Sequence, residues 1–467
     1  MTTSRILVLT RDHIGARMAS PGIRMYNIAR VLAERVTDSE VVLAVPADSE
    51  LPDGSLPFRV TPYKCSTVAA AALASSTLIS NNFPPYLYPI MLQKRVILDL
   101  FSPFTERLTV AHSKGYDAEA YFSAYGRELV SQLLLTDLVL CASDRQRDLY
   151  FGMLSAIGKV KPEMYDADRW VSGLIAEAPF GVRDGELEPT RPVLRGVWPG
   201  IEQNDTIFIW NGVVIEWYDV DTLVRAFARI SQQRSDVKLF FLGTEHPDNP
   251  GVPKLQGLGG GTVRAALQLC EELGVLNRSV FFNFDWVDYE DTVNYLSEAD
   301  IGVCTYFNNI ETRFAFRSRY ADLLWAQLPI ICTEGDVWAE EVTSRPLGVA
   351  VPERNEDALV NAILRLADDR QFVQQCKENL REDRERYRWD RVLERLTRYC
   401  ADANGASTKW QLLPAVASLA VSNQAAKLSH AGLSRFIQLY RRLPATVRPT
   451  RIASSIGLRT STRSRPL

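Results

Sequence analysis

The sequence predicts an α/β chain built from two doubly wound parallel sheets that face each other across a cleft. Three observations favour this architecture. The chain has 467 residues, more than one hydrophobic core usually supports. Short β-branched runs alternate with helical patterns in two separate series, which is typical of parallel sheets. An irregular stretch rich in proline separates the two series, as expected of a connection between domains.

The first series of strands and helices begins near residue 5. Its strands are expected at residues 5–10, 41–45, 58–60, 95–100 and 138–141. Helical patterns cover residues 21–33 and 118–134, so the series reads as repeated strand–helix–strand units. We assign residues 1–185 to a first domain and residues 186–205 to the linker.

The second series follows the linker and ends in a longer helical region. Its strands are expected at residues 206–210, 237–242, 280–283, 301–304, 329–333 and 348–351. Helices are expected at residues 356–366 and 371–399, and the second of these is long enough to reach back to the first domain. We assign residues 206–403 to the second domain. Because ligands bind outside the carboxyl ends of parallel strands, the cleft between the domains is the expected site.

The last part of the chain, residues 404–467, is a basic tail. Ten basic residues and no acidic residue follow Asp402, although the whole chain has a net charge of −3. One or two helices are expected near residues 414–427 and 433–443, ahead of a disordered end. An apolar helix that carries arginines either lies on an anionic membrane surface or docks on the protein body. The acidic remainder of the chain argues against nucleic acid as a partner.

Composition narrows the class of protein further. The content of 46% hydrophobic and 23% charged residues is that of an ordinary soluble globular protein. A long apolar run and a secretory signal are both missing, which predicts a cytoplasmic protein with an optional peripheral membrane contact through the tail. The seven cysteines form no C-x-x-C pair and the four histidines have no ligand spacing. We therefore expect reduced thiols and no bound metal ion.

The loop after the first predicted strand is expected at the cleft. In residues 10–17, Gly15 stands alone, so the G-x-G-x-x-G pattern of nicotinamide enzymes is missing and a dehydrogenase interpretation is weakened. Gly15, Arg17 and the N-terminus of the next helix are candidates for contact with a sugar or its phosphate. The alternative is a plain surface loop.

Residues 309–331 are the most informative segment. They pass from a strand end through a polar loop into a helix, and then through a Leu-Pro pair into a buried strand. The loop and the start of the helix contain Arg313, Arg317 and Arg319. A fork of guanidinium groups suits the neutralisation of charge on a leaving diphosphate. The alternative is a solvated charged face held by salt bridges.

This segment resembles the donor-binding region of the GT-B retaining glycosyltransferases of the family-four, or group 1, type. The resemblance implies two Rossmann-like domains in the GT-B arrangement, with the acceptor on the first domain and a nucleotide-sugar donor on the second. It also implies that Asp322 binds the nucleotide ribose and that Glu311 contacts the transferred sugar. These two residues lie farther apart than in the family pattern.

The opening of the second domain also resembles this superfamily. Asn211 and Gly212 are expected at a strand tip, beside the donor phosphate. In the family an arginine and a lysine then hold the diphosphate, whereas this chain has Val213 and Tyr218 at those places. Either the loop arginines replace that pair, or the chain is a variant with altered chemistry.

Four further positions complete the candidate site. The resemblance implies that Trp286 and Val287 frame the donor base. Gly335 precedes a helix whose N-terminus could present amide groups to a phosphate. Asp99 ends a buried strand of the first domain, where it either orients the acceptor hydroxyl or simply terminates the strand.

The resemblance and the residues together predict a glycosyltransferase that moves a sugar from a nucleotide-diphosphate sugar, with retention of configuration. The acceptor is expected to be a glycan, a lipid-linked or cell-envelope molecule, or a secondary metabolite. Glu311, Arg313, Arg317 and Asp99 are the candidate catalytic residues, and no cofactor is expected beyond the nucleotide sugar. The alternatives are a GT-B nucleotide-sugar epimerase or pseudoglycosyltransferase, and a non-catalytic scaffold for envelope assembly.

Overall fold

The computed structural model describes residues 4–51, 55–108, 118–243 and 260–402, together with residues 409 and 412. Nearly all of the basic tail, including the helices predicted at residues 414–427 and 433–443, lies outside the described residues. Within the described ranges the chain forms two parallel sheets flanked by helices. None of the helices in these ranges combines the length and the apolar character that crossing a membrane requires.

The first sheet has seven strands in the order β3-β2-β1-β4-β5-β6-β7, all parallel. The strands are β1 (Ser4–Leu9), β2 (Ser39–Val45), β3 (Arg59–Pro62), β4 (Thr77–Ser80), β5 (Arg95–Asp99), β6 (Leu138–Cys141) and β7 (Ile175–Glu177). The apolar runs of the central strands are buried because helices cover both faces of the sheet. The sequence did not predict β4 and β7, which have only four and three residues.

The second sheet has six parallel strands in the order β10-β9-β8-β11-β12-β13. They are β8 (Thr206–Asn211), β9 (Val237–Leu242), β10 (Val280–Phe282), β11 (Ile301–Cys304), β12 (Ile330–Thr333) and β13 (Gly348–Val351). In each sheet the strand order reverses beside the first strand, β1 or β8. Such a switch point opens a crevice at the carboxyl ends of the strands, where ligands bind.

The helices connect successive strands and then form the carboxyl-terminal part of the second domain. In the first domain they are α1 (Ser20–Arg35), α2 (Cys65–Ala74), α3 (Tyr88–Met91), α4 (Ala118–Leu135), α5 (Asp144–Ala156) and α6 (Pro162–Ala167). In the second domain they are α7 (Val220–Ser231), α8 (Gly260–Glu272), α9 (Thr292–Glu298), α10 (Ile310–Phe314), α11 (Arg319–Trp325), α12 (Val337–Ser344), α13 (Glu356–Asp368), α14 (Arg370–Arg386), α15 (Trp389–Val392) and α16 (Glu394–Ala401).

The carboxyl-terminal helical region returns to the first domain, but not as one helix: α14 packs on α11 and α13 of the second domain, and only α15 and α16 pack on α1. The prediction of a continuous helix over residues 371–399 was wrong, because the backbone is extended at Arg388 (φ −59°, ψ 141°). This break directs Trp389 against Gly181, where a Cβ atom would lie 2.3 Å from the indole ring. Because residue 181 is a glycine, the Trp389 side chain of α15 can pack at the junction of the two domains.

The chain stays attached to the first domain beyond α16. Lys409 is buried there, and its Nζ donates hydrogen bonds to the Leu135 carbonyl (2.7 Å) and to Asp137 Oδ2 (2.5 Å). Leu412 packs against the core of the same domain. The start of the region assigned to the tail is thus anchored on the first domain.

Candidate functional site

A cavity of about 360 Å³ lies between the carboxyl ends of the two sheets. The first domain contributes the end of the loop after β1, the loop after β5 and the segment after β7; these residues are Met18, Ala19, Ser20, Pro21, Ile23, Phe101, Ser102, Glu106, Phe180, Gly181 and Arg183. The second domain contributes the loop after β8, the loop after β10 and the segment that leads into α11. Both switch points therefore open into one cavity, as the fold predicts.

Direct contacts hold the two walls of the cavity together. Ser20 and Ser318 are joined by a hydrogen bond of 2.6 Å between their hydroxyl groups. The buried side chain of Gln146 donates from Nε2 to the carbonyls of Phe101 (2.9 Å) and Phe314 (2.8 Å), one in each domain. The loop after β5 and the loop before α11 are thus fixed relative to each other.

The tip of β8 brings backbone and side-chain groups to the cavity. Gly212 has φ 111°, a conformation that favours glycine. The Asn211 Nδ2 donates a hydrogen bond to the Arg319 carbonyl (3.0 Å), which ties the strand tip to the start of α11. An added Cβ at Gly212 would lie 3.7 Å from Arg319 Nη2, so the guanidinium group lies directly beside the strand tip.

Arg319 occupies the space between Val213 and Tyr218. Its Nη2 donates to the Val213 carbonyl (3.0 Å) and to Tyr218 Oη (2.7 Å). The guanidinium carbon lies 4.4 Å from the Tyr218 ring centroid and 4.8 Å from that of Trp210, which adds cation–π attraction. The other terminal nitrogen, Nη1, is buried and has no hydrogen-bond partner among the described residues. Arg319 thus places a cation with a free donor where the family resemblance led us to expect an arginine and a lysine.

Arg317 lies on the same wall, in a buried ion pair. It donates from Nη1 and Nη2 to the two carboxylate oxygens of Glu311, at 2.9 and 2.8 Å. The Glu311 side chain is only 1% exposed and is not among the residues that line the cavity. The guanidinium of Arg317 therefore separates Glu311 from the cavity.

Asp322 lines the cavity one turn into α11. Its Oδ2 accepts a long hydrogen bond from Asn211 Nδ2 (3.4 Å), and its Oδ1 lies 3.5 Å from Arg183 Nε. Burial raises the pKa of Asp322, and the charge of Arg183 opposes that rise. Arg183 itself is stacked on Tyr289, with its guanidinium carbon 3.6 Å from the ring centroid. The sequence analysis missed Arg183, because only the fold brings the segment after β7 beside α11.

Trp286 and Val287 line the cavity from the loop after β10. The loop packs beside Gly243, which follows β9: an added Cβ at Gly243 would lie 4.0 Å from the Val287 amide nitrogen. The Trp286 Nε1 is buried and has no hydrogen-bond partner among the described residues. The loop thus offers an apolar wall with one available donor.

Comparisons with known proteins identify the family of the second domain and the fold of the chain. Residues 199–383 match the sequence model of the family described as "Glycosyl transferases group 1". The chain is a GT-B glycosyltransferase with a group 1 domain. No curated protein matches the chain at a significant level.

Solved structures show the same two-domain fold as this glycosyltransferase. Sucrose-phosphate synthase from Thermosynechococcus elongatus superposes with a TM-score of 0.59 at 17% identity, over 86% of this chain and 100% of that one. Anabaena HepE in complex with UDP and glucose gives 0.58 at 13% identity, over 85% and 99%. WaaG, a glycosyltransferase involved in lipopolysaccharide biosynthesis, gives 0.55 at 16% identity, over 86% and 100%. At these identities the likeness concerns the fold.

Asp99 of the glycosyltransferase does not line the cavity. Arg24 donates hydrogen bonds from Nε and Nη2 to the two carboxylate oxygens of Asp99, at 2.7 and 2.8 Å, and each of the two side chains is 1% exposed. Arg24 also donates to the Pro179 carbonyl (3.1 Å). This ion pair joins α1, the end of β5 and the segment after β7, so the geometry gives Asp99 a structural contact.

Three other candidates also lie off the cavity lining. Arg313 is exposed on α10. Gly15, with φ 116°, packs against the Glu50 carbonyl, and the half-exposed Arg17 side chain faces the Glu50 carboxylate at 3.8 Å. The part of this loop that does reach the cavity is the stretch from Met18 to Pro21, just before and within the first turn of α1.

Gly335 also lies off the cavity lining. It lies at a contact between the domains: its carbonyl accepts a hydrogen bond from Arg145 Nη1 (2.7 Å), and an added Cβ would clash with Asn308. The buried Asp336 caps α12 by accepting from the Ala339 amide (2.8 Å). The observed contacts of this turn are therefore with protein groups.

The sequence analysis also missed Glu106, which lines the cavity from the first domain. Burial, followed by the nearby Glu311 carboxylate, raises the pKa of Glu106 to about 7, against the opposing effect of Arg107 and Arg317. No motif in the sequence marks this glutamate, since two of the charges that act on it, Glu311 and Arg317, come from the other domain.

Proposed function

We propose that this glycosyltransferase takes its sugar from a nucleotide-diphosphate donor, and that Arg319 and Arg317 hold the diphosphate. The observation that carries the proposal is Arg319 itself, a buried cation in the cavity that lies beside Gly212 and keeps an unpaired Nη1 donor. A buried donor without a partner costs free energy, so a ligand that accepts its hydrogen bond is favoured there.

The chemistry of transfer explains why this position matters. When the bond between the anomeric carbon and the diphosphate oxygen breaks, negative charge grows on the leaving nucleoside diphosphate. Preorganised guanidinium groups in a site shielded from water stabilise such charge strongly. Since Arg319 and Arg317 supply positive charge from the protein, we also propose that transfer needs no metal ion.

The rest of the donor fits the remaining wall of the cavity. We propose that Asp322 and Asn211 bind the nucleotide ribose and that Trp286 and Val287 pack on the base. The sugar then points toward the first domain, where the acceptor is expected. A carbohydrate-containing acceptor and retention of configuration are proposed from the family resemblance.

The position of Arg319 also bears on the alternative functions. The epimerase and pseudoglycosyltransferase interpretations were favoured by Val213 and Tyr218, which stand where the family has cations. Arg319 donates hydrogen bonds to both of these residues, so its guanidinium group supplies a cation at that place. This observation favours ordinary glycosyl transfer.

A panel of nucleotide sugars tests the proposal. We expect one nucleoside diphosphate to raise the thermal unfolding temperature of the protein, because binding to the native state stabilises it. The matching nucleotide sugar should be consumed at an equal rate with and without EDTA. UDP-glucose is the first donor to test, because HepE was crystallised with it. If no nucleotide in the panel stabilises the protein, the proposed donor class is wrong.

Asp322 provides a second test, directed at the ribose. Replacing Asp322 with alanine should weaken binding of the preferred nucleoside diphosphate by about tenfold, as expected for one lost hydrogen bond to a charged group. The wild type should bind the 2′,3′-dideoxy analogue more weakly than the parent nucleotide. The Asp322→Ala variant should bind the two nucleotides with equal affinity. Calorimetry measures all four affinities. An undiminished preference for the ribose hydroxyls in the variant would contradict this assignment.

A further inference from the structure

Glu106 lies on the first-domain wall of the cavity, opposite the arginines of the second domain. It follows β5 by seven residues, and residues 106–108 are helical. Ser102 lines the cavity beside it, and Phe316 and Arg317 line the facing wall. Glu106 is thus a carboxyl group of the acceptor-side domain that faces the place proposed for the diphosphate.

The surrounding contacts fix the loop that carries Glu106. The Glu106 amide donates a hydrogen bond to the Pro103 carbonyl (3.1 Å), which forms a tight turn after β5. The ring of Phe101 packs against that of Phe316 across the domain boundary, with centroids 6.0 Å apart. Gln146 holds the same loop to the second domain. A ligand that fills the cavity therefore meets Glu106 at a defined place.

Opposing charges surround Glu106. The Glu311 carboxylate of α10 and burial raise its pKa, whereas Arg107 on its own helix, Arg317 from the facing wall and a hydrogen bond with Ser102 lower it. The resulting pKa of about 7 means that the carboxyl group is half protonated near neutral pH. A diphosphate bound at Arg317 brings further negative charge and offsets the charge of Arg317, and both effects favour the protonated form of Glu106.

We propose that Glu106 binds a hydroxyl group of the donor sugar and takes up a proton when the donor binds. The inference rests on the proposed function and deepens it. With the diphosphate at Arg317 and Arg319, the next group of the donor is the uncharged sugar, which lies between the two walls. A protonated carboxyl group both donates and accepts hydrogen bonds, and so matches a sugar hydroxyl without repelling the diphosphate.

The sign of the pH dependence follows from this arrangement. The donor complex binds more protons than the free protein at and above pH 7, so donor affinity falls as pH rises through and above this value. If donor binding raises the pKa of Glu106 by one unit, donor affinity falls by up to about tenfold as pH rises above 7. The diphosphate of a nucleotide sugar is a diester and does not titrate near neutrality, so the protein is the source of the change.

Calorimetry with UDP-glucose and UDP, or with the pair whose base stabilises the protein best, tests the inference. Glu106→Gln should leave the affinity for the nucleoside diphosphate within about threefold of wild type at pH 6, where both side chains are neutral. The same variant should abolish the pH dependence of nucleotide-sugar affinity between pH 6.5 and 8.5, and the proton uptake seen in buffers of different ionisation enthalpy. Glu106→Ala should weaken the binding of the nucleotide sugar at least fivefold more than the binding of the nucleoside diphosphate.

Glu163→Gln is the matched control, because Glu163 is exposed on α6 and away from the cavity. This variant should have the affinities, the pH dependence and the proton uptake of the wild type. Equal effects of Glu106→Ala on both ligands, or proton uptake that persists in Glu106→Gln, would overturn the inference while the proposed donor class stands. Failure of both ligands to bind the wild type would overturn the proposed function, and the inference with it.

Discussion

Replacing Arg319 with alanine is expected to lower kcat/KM for the nucleotide sugar by about 10²–10³-fold. Loss of one preorganised donor to a developing negative charge typically costs this much. Arg319 lines the cavity, and its buried Nη1 has no partner among the described residues while Nη2 is anchored on Val213 and Tyr218, so the side chain is held in place with one donor to spare. Arg319→Lys should recover only part of the activity, since an ammonium group cannot satisfy both contacts.

Arg313→Ala is the matched control for Arg319→Ala. Arg313 belongs to the same arginine cluster of the sequence but is exposed and lies off the cavity lining. Its removal should change kcat/KM by less than about twofold, because exposed charges interact weakly through water. Near wild-type turnover of a folded Arg319→Ala protein, or a large loss in Arg313→Ala, would contradict the assignment. Thermal unfolding of each variant shows whether it is folded.

Asp99→Ala is expected to give the largest loss of stability among the candidate-site variants. The substitution leaves Arg24, which is 1% exposed, without its bidentate partner. Breaking a buried ion pair in this way costs about 3–5 kcal/mol. The midpoint of denaturant unfolding, followed by circular dichroism, should fall accordingly. The folded fraction should still bind the nucleoside diphosphate with wild-type affinity, because Asp99 does not line the cavity.

The double variant Arg24→Met/Asp99→Leu distinguishes a structural ion pair from a catalytic carboxylate. Apolar residues of similar volume often replace a buried ion pair at little cost, so much of the lost stability should return. Asp357→Ala, which breaks a solvent-exposed pair with Arg229, should leave the unfolding midpoint near that of the wild type. A stable Asp99→Ala protein that has lost transfer but not nucleotide binding would instead place Asp99 at the acceptor.

Much of the fold was predictable because buried parallel strands leave long apolar runs in the sequence. The two series of strands and the GT-B arrangement are confirmed. The strands β4 and β7 gave no comparable signal, since their sequences, Thr-Leu-Ile-Ser and Ile-Ala-Glu, contain at most two adjacent large apolar residues. The break at Arg388 was missed for a different reason: helical periodicity runs through it, and the packing of Trp389 on Gly181 depends on the tertiary structure.

The candidate site was predictable where its residues belong to one continuous segment or one strand tip. Asn211, Gly212, Arg317, Arg319 and Asp322 all line the cavity. Their roles stay predictions.

Contacts between distant segments were not predictable in the same way. A sequence pattern cannot show that Arg24, 75 residues earlier, takes both oxygens of Asp99. Nor can it show that Glu106 and Arg183 reach the cavity. Arg24 and Asp99 meet only when α1 packs on the first sheet, and Glu106 and Arg183 meet Arg317 and Asp322 only when the two domains pack together.

The decisive experiment for the role of Arg319 is a crystal structure with the best-binding nucleoside diphosphate. We expect phosphate oxygens within hydrogen-bond distance of Arg319 Nη1, beside Gly212, and the ribose at Asp322. Phosphates bound elsewhere, with Arg319 Nη1 still unpaired, would show that Arg319 does not hold the diphosphate.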